Sequence, residues 1–170
     1  MGKLITLPFI GGSQMVSVLN VAKYFLNSVE EESGSVMTHL KLQKLCYYAQ
    51  AWYLVFNEGV ELFKEDFQAW AHGPACPELW HNYKDYGFTP IPRDEDFNSN
   101  LFKNEEMEIL EEVWTAYGQF EPKYLELLTH QEEPWLSARG NAIAGERCTN
   151  VISKESMFNY YSRLLKDDEN

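Results

Sequence analysis

Residues 38–56, THLKLQKLCYYAQAWYLVF, can fold as a helix but leave it almost no face for water. Leu42, Leu45, Ala49, Trp52 and Phe56 recur at alternating spacings of three and four, the period of one helix face. Leu40, Tyr47, Tyr48, Tyr53 and Leu54 widen that stripe, leaving Lys41, Lys44 and Gln50 among the few polar positions. A helix that is hydrophobic nearly all round is buried on most sides, so other elements must wrap around it. Thr38 is placed to cap its start. This requirement sets the expected fold class: mainly α, a compact single-domain helical bundle.

The rest of the chain supplies elements to wrap it. Val18, Val21, Ala22, Phe25 and Val29 form an apolar stripe on a first helix at roughly 17–31. The acidic Glu-Glu-Glu-Ser-Gly-Ser segment after it reads as a solvated loop. Gly59 ends the central helix, and the following segment carries alternating residues that predict a small β element at about 60–71, two short strands in a hairpin. Pro77 and Gly87 frame a short helix at roughly 77–86. Residues 88–103 read as a loop. Asn104 is expected to cap a helix reaching Tyr117, and Pro122 opens a shorter one. Segment 128–135 is expected to be a loop, with another short helix after it. Ser153 caps a last helix, with Ile152 and Met157 in the staple positions. The organisation expected is an N-terminal extension at 1–16, one domain at 17–165 and a charged, frayed tail at 166–170.

Composition narrows the function classes. Lys plus Arg number 14 against 26 Asp plus Glu, a formal charge of −12. Nucleic-acid binding draws most of its affinity from cations on phosphates, so direct nucleic-acid binding is not expected. An acidic surface suits a basic protein partner, and it also simply keeps a protein soluble. Cys46, Cys76 and Cys148 are odd in number and widely spaced, which argues against a disulfide framework and for a reducing, cytoplasmic compartment. The N-terminal segment has too short an apolar run for a signal peptide, and Gly2 lacks the context for myristoylation. No run of 18 apolar residues predicts a membrane span.

Motifs for catalysis are weak. His72, Cys76 and His81 lie within ten residues but match no zinc spacing, so no metal is expected. Cys46 reads as a packing residue, whereas Cys76, just before Pro77 at a helix start, has the better electrostatic position for a reactive thiol. GxSxG and phosphate-loop patterns are absent, and no cofactor is implied. Glu105 with Glu106, and Glu132 with Glu133, are sequence neighbours and so read as solvated faces, not acid–base dyads. A His/carboxylate enzyme would draw on His81, His130 and Glu78 or Glu132 but has no nucleophile, so no catalytic residue is assigned.

Two segments stand apart: AWAHGPACPELWH at 69–81 and LTHQEEPW at 128–135. The first combines the rings of Trp70, Trp80 and His81 with a rigid turn at Gly73 and Pro74, the second joins His130, Pro134 and Trp135 in an expected loop, and loops carrying aromatics are common in recognition. The competing reading has the tryptophans plugging the core where loops cross it.

At these segments the chain resembles the Panacea family, the SocA-like antitoxin domain of bacteria and their phages. The resemblance rests on Ala22-Lys23-Tyr24-Phe25-Leu26, then Leu40-Lys41-Leu42-Gln43-Lys44-Leu45, then Tyr47-Tyr48-Ala49-Gln50-Ala51-Trp52-Tyr53-Leu54. It continues through Ala69-Trp70, Gly73-Pro74, Glu78-Leu79-Trp80-His81, Leu128-Thr129-His130 and Pro134-Trp135, and runs from about 18 to about 165. His72, Pro77 and the first fifteen residues depart from the pattern. The resemblance implies a helical domain with a small β element and an antitoxin that binds a cognate protein toxin. In some members it implies an adaptor that hands the toxin to a protease. A phage-associated regulatory protein is the remaining alternative. The toxin and the oligomeric state are not implied.

Overall fold

The computed structural model describes residues 14–170. Residues 1–13, most of the expected N-terminal extension together with the signal-peptide and Gly2 questions, lie outside the described residues. Helix α1, Val18–Ser28, starts with a reciprocal cap in which Ser17 Oγ accepts from the Asn20 N–H and Asn20 Oδ1 accepts from the Ser17 N–H. It stops short of the expected residue 31 because Val29 turns extended, where its carbonyl accepts from Arg93. Helix α2, His39–Phe56, is capped by Thr38 as expected and is buried from Lys41 through Ala51 without a break. Beyond it, Glu58 and Gly59 both take positive φ.

Strand β1, Phe67–Trp70, pairs antiparallel with β2, Gly73–Ala75, across a turn that places Trp70 opposite Gly73. Helix α3, Pro77–Tyr83, has Pro77 in its first turn and runs into a 3-10 turn at Lys84–Tyr86. Another 3-10 turn, Ser99–Leu101, lies in the loop before helix α4, Asn104–Tyr117. Helices α5, Pro122–His130, and α6, Glu133–Arg139, are separated by only two residues. Strand β3, Val151–Ile152, joins the sheet on the free side of β1, in the order β2-β1-β3, and helix α7, Lys154–Asp168, closes the chain. The architecture is mainly α with one small antiparallel sheet. Helix α2 runs through the middle, packed by α1, α4, α5 and α7, and the sheet covers the side of α2 near its start.

Several expectations need correction. The β element begins at Phe67, not at 60, because Gln50 of α2 claims the preceding segment. Its side chain accepts from the Leu62 N–H and donates to the Phe63 carbonyl, each at 2.7 Å. The hairpin extends past residue 71, and the third strand of the sheet, Val151–Ile152, comes from far downstream and is too short to show a pattern of its own. Lys103, not Asn104, caps α4, because the Glu106 carboxylate folds back onto the Lys103 N–H at 2.7 Å. Segment 128–135 is not a loop: Leu128–His130 finish α5 and Pro134 and Trp135 open α6. The tail is helical through Asp168, with the Glu169 N–H and the Asn170 side chain on the Lys166 carbonyl.

Candidate partner-binding site

The β1–β2 hairpin carries Trp70, Gly73 and Pro74, and its conformation is fixed from below. Gly73 has φ +104, a left-handed value that an L side chain resists. A Cβ there would also fall 2.6 Å from Lys44 Cε and 2.8 Å from Thr129 Oγ1. Lys44 is fully buried under this turn, and its ammonium donates to the Pro74 carbonyl at 3.1 Å. Burial pulls the Lys44 pKa down to about 7, against the attraction of Glu126. At the turn itself, His72 Nδ1 lies 2.8 Å from Glu126 Oε1, and Lys123 pairs with the same carboxylate. Burial tends to raise the Glu126 pKa, but its bonds to Lys123 and His72 prevail and hold it below the ordinary value.

Trp135 anchors the other side. Its indole N–H donates to the Trp70 carbonyl at 2.9 Å, and only 7% of the residue is exposed. The Arg139 guanidinium lies over the Trp135 ring at 5.0 Å and donates to the Ala69 carbonyl at 3.0 Å. His130 stacks flat on Trp135, ring centroids 4.0 Å apart. Its Nε2 is buried without a hydrogen-bond partner, and burial lowers its pKa. Trp135 is thus bonded to the hairpin, with His130 stacked on its ring.

The outer face differs. Trp70 is half-buried and Trp80, on α3, is 39% exposed; their rings meet edge to face at 6.2 Å. Lys84 sits over the Trp80 ring at 4.9 Å, and the exposed His81 ring lies at its edge, 5.3 Å away. Trp70 Nε1 donates to Gln68 at 2.7 Å, which fixes the indole. Of the seven residues singled out in the sequence, Trp70, Trp80 and His81 form this outer edge. Gly73, Pro74, Trp135 and His130 lie behind it.

The chemistry weighed from sequence is distributed differently. Cys76 stands at the start of α3, but burial raises its thiol pKa to about 11 despite the Leu79 and Glu78 N–H groups. Gln43 takes up the Cys76 backbone, accepting from its N–H at 2.7 Å and donating to its carbonyl at 3.2 Å. Among the described residues, no three His, Cys, Asp or Glu side chains converge as a metal site. Glu132 does not lie on a solvated face. It is buried and accepts from Tyr48 and Tyr161 hydroxyls at 2.8 and 2.7 Å, and burial raises its pKa to about 7. Glu106 is likewise buried in its cap. Glu132 shares no hydrogen bond with His81 or His130. The residues missed by sequence reasoning are Lys44, Gln43 and Arg139, which bond the backbone of the hairpin and its exit, and Thr129, which lies close under Gly73. The available signal was that α2 has polar residues but no polar face.

A family model described as antitoxin SocA-like, Panacea domain, matches residues 42–136. That span runs from the first turn of α2 into α6 and contains the whole hairpin and α3. It begins after the Ala22–Leu26 segment and ends before α7. No curated protein and no solved structure matches the chain.

Proposed function

The chain belongs to the SocA-like antitoxin, Panacea-domain family, and from that premise we propose that it neutralises a cognate protein toxin by direct binding. The observation that carries the reading is the Trp70–Trp80 edge, the half-buried indole of the hairpin against the exposed one of α3, with the hairpin pinned from beneath by Lys44 and Trp135, inside the matched span. Large aromatic side chains dominate the energetics of protein interfaces. A surface held rigid before binding loses less conformational freedom on association. Neutralisation of this kind is occlusion: it needs a stable surface in stoichiometric amount and no turnover. Among the described residues no helix is long and apolar enough to cross a membrane.

The test is co-expression with the product of the neighbouring reading frame. That product alone arrests growth, and this chain relieves the arrest and co-purifies with it. Trp80→Ala removes an outward ring that supports no backbone group, so it leaves the fold intact and abolishes relief. Full relief by a folded Trp80→Ala protein would move the interface elsewhere. A harmless neighbour that forms no complex would remove the toxin reading.

A further inference from the structure

A second surface lies at the far end of α2. Trp52 and Phe56 of its last turns, with Ile109, Val113 and Tyr117 of α4, line an apolar groove of about 630 Å³. Phe56 is 57% exposed in it. The groove is edged by Glu105, Glu108 and Glu112 of α4 and by Asp168 of α7, and among the described residues no Lys or Arg lines it. All four carboxylates are exposed. The C-terminal ends of α2 and α7 lie here and add negative potential, while the positive N-terminal end of α4 is met by Glu105 of its own first turn. The hairpin is gripped by Lys44 and Gln43, and Trp52 and Phe56 lie 8–13 residues further along α2. At about 1.5 Å per residue the two surfaces are roughly 12–20 Å apart along the helix.

We propose that this groove binds a basic amphipathic helical segment of a protein partner, with apolar side chains on Trp52, Phe56 and Ile109 and Lys or Arg against the four carboxylates. The volume suits two or three apolar anchors of one helix face. An acidic rim around an apolar floor repels acidic segments and favours a segment carrying the opposite charge pattern. The inference rests on reading the chain as a protein binder, and it names the chemistry of one segment that such a partner offers.

The probe is a synthetic 14-residue Leu/Lys peptide with one apolar helix face. Its controls are a scrambled peptide of equal charge and a Leu/Glu version. Nuclear magnetic resonance on the full chain follows the Trp52 indole N–H, which donates to the Tyr117 hydroxyl at 2.9 Å. The amphipathic peptide should shift Trp52 and Ile109 signals, and the scrambled and acidic peptides should bind at least ten times more weakly. Glu108→Lys combined with Glu112→Lys, both on exposed positions, should cost tenfold or more in affinity. Equal binding of the scrambled peptide, shifts centred on Trp70 and Trp80, or no binding would overturn the proposal. The same double variant is then tried in co-expression. If the wild-type chain relieves toxicity and the double variant relieves it equally, the groove is not used and the toxin reading stands. If the wild-type chain gives no relief while the peptide results hold, the toxin reading fails and the groove stands.

Discussion

Gly73 shows how one residue sets the geometry of a surface. Its φ of +104 and the 2.6 Å and 2.8 Å approaches to Lys44 and Thr129 leave no room for a methyl group. Gly73→Ala should destabilise the fold by about 2–4 kcal/mol, combining backbone strain with overpacking. Urea denaturation at pH 7.5 measures this, and a midpoint unchanged from wild type would contradict it. Glu132 makes a prediction in pH. Its carboxyl titrates near 7 when folded against an ordinary 4.5. The folded state therefore holds that proton more tightly, so the stabilisation is complete below pH 4.5 and is lost as pH rises through 7. Glu132→Gln keeps the shape and an acceptor for Tyr48 and Tyr161 but removes the titration. Wild type should lose stability relative to Glu132→Gln between pH 4.5 and 7, by on the order of 2–3 kcal/mol. His39, pulled down to about 4 chiefly by burial, loses stability as pH falls from 6.5 and so acts in the opposite sense. Comparing the two proteins cancels it, and parallel stability curves would contradict the Glu132 account.

At the scale of elements, α2 organises everything that touches it. Its buried Lys and Gln residues end on the backbone of other segments: Lys41 on the Gly118 carbonyl, Gln43 on Cys76, Lys44 on Pro74, Gln50 on Leu62 and Phe63. Gln50 in particular satisfies an N–H and a carbonyl of the segment that follows α2. Gln50→Leu fits the volume but strands one N–H and one carbonyl, and should cost about 2–4 kcal/mol in chemical denaturation. A loss below about 0.5 kcal/mol would mean those groups find other partners. These bonds also mark the limit of what the sequence conveys. The periodicity of Leu42 through Phe56 places α2 at the centre, and Thr38, Pro77, Pro122 and Ser153 mark helix starts correctly, because caps and proline act locally. The choice between Asn104 and Lys103 as cap turned on where the Glu106 side chain went. Strand β3 has two residues and exists only because Phe67 and Gln68 face it. In the site, aromatic composition pointed to segments 69–81 and 128–135, which the fold brings together where the Trp135 indole meets the Trp70 carbonyl. It did not separate the exposed Trp80 from the buried Trp135, since that depends on which indole N–H meets the Trp70 carbonyl.

On the scale of the whole molecule, the rigid parts and the exposed parts divide the work. Lys44, Trp135 and Arg139 hold the hairpin to the bundle, while Trp70 and, beside it on α3, Trp80 meet solvent along the outer edge. The acidic groove occupies the opposite end of α2. With 26 acidic against 14 basic residues, the chain favours basic partners at long range. Raising the salt concentration should therefore slow association more than it speeds dissociation. The most direct measurement of the central claim is calorimetric titration of the purified chain with the product of its neighbouring reading frame, using wild type and Trp80→Ala. Saturable binding near one to one, weakened at least tenfold in a Trp80→Ala protein of unchanged stability, is the predicted result. No heat of binding with wild type, or equal affinity for both proteins, would contradict it.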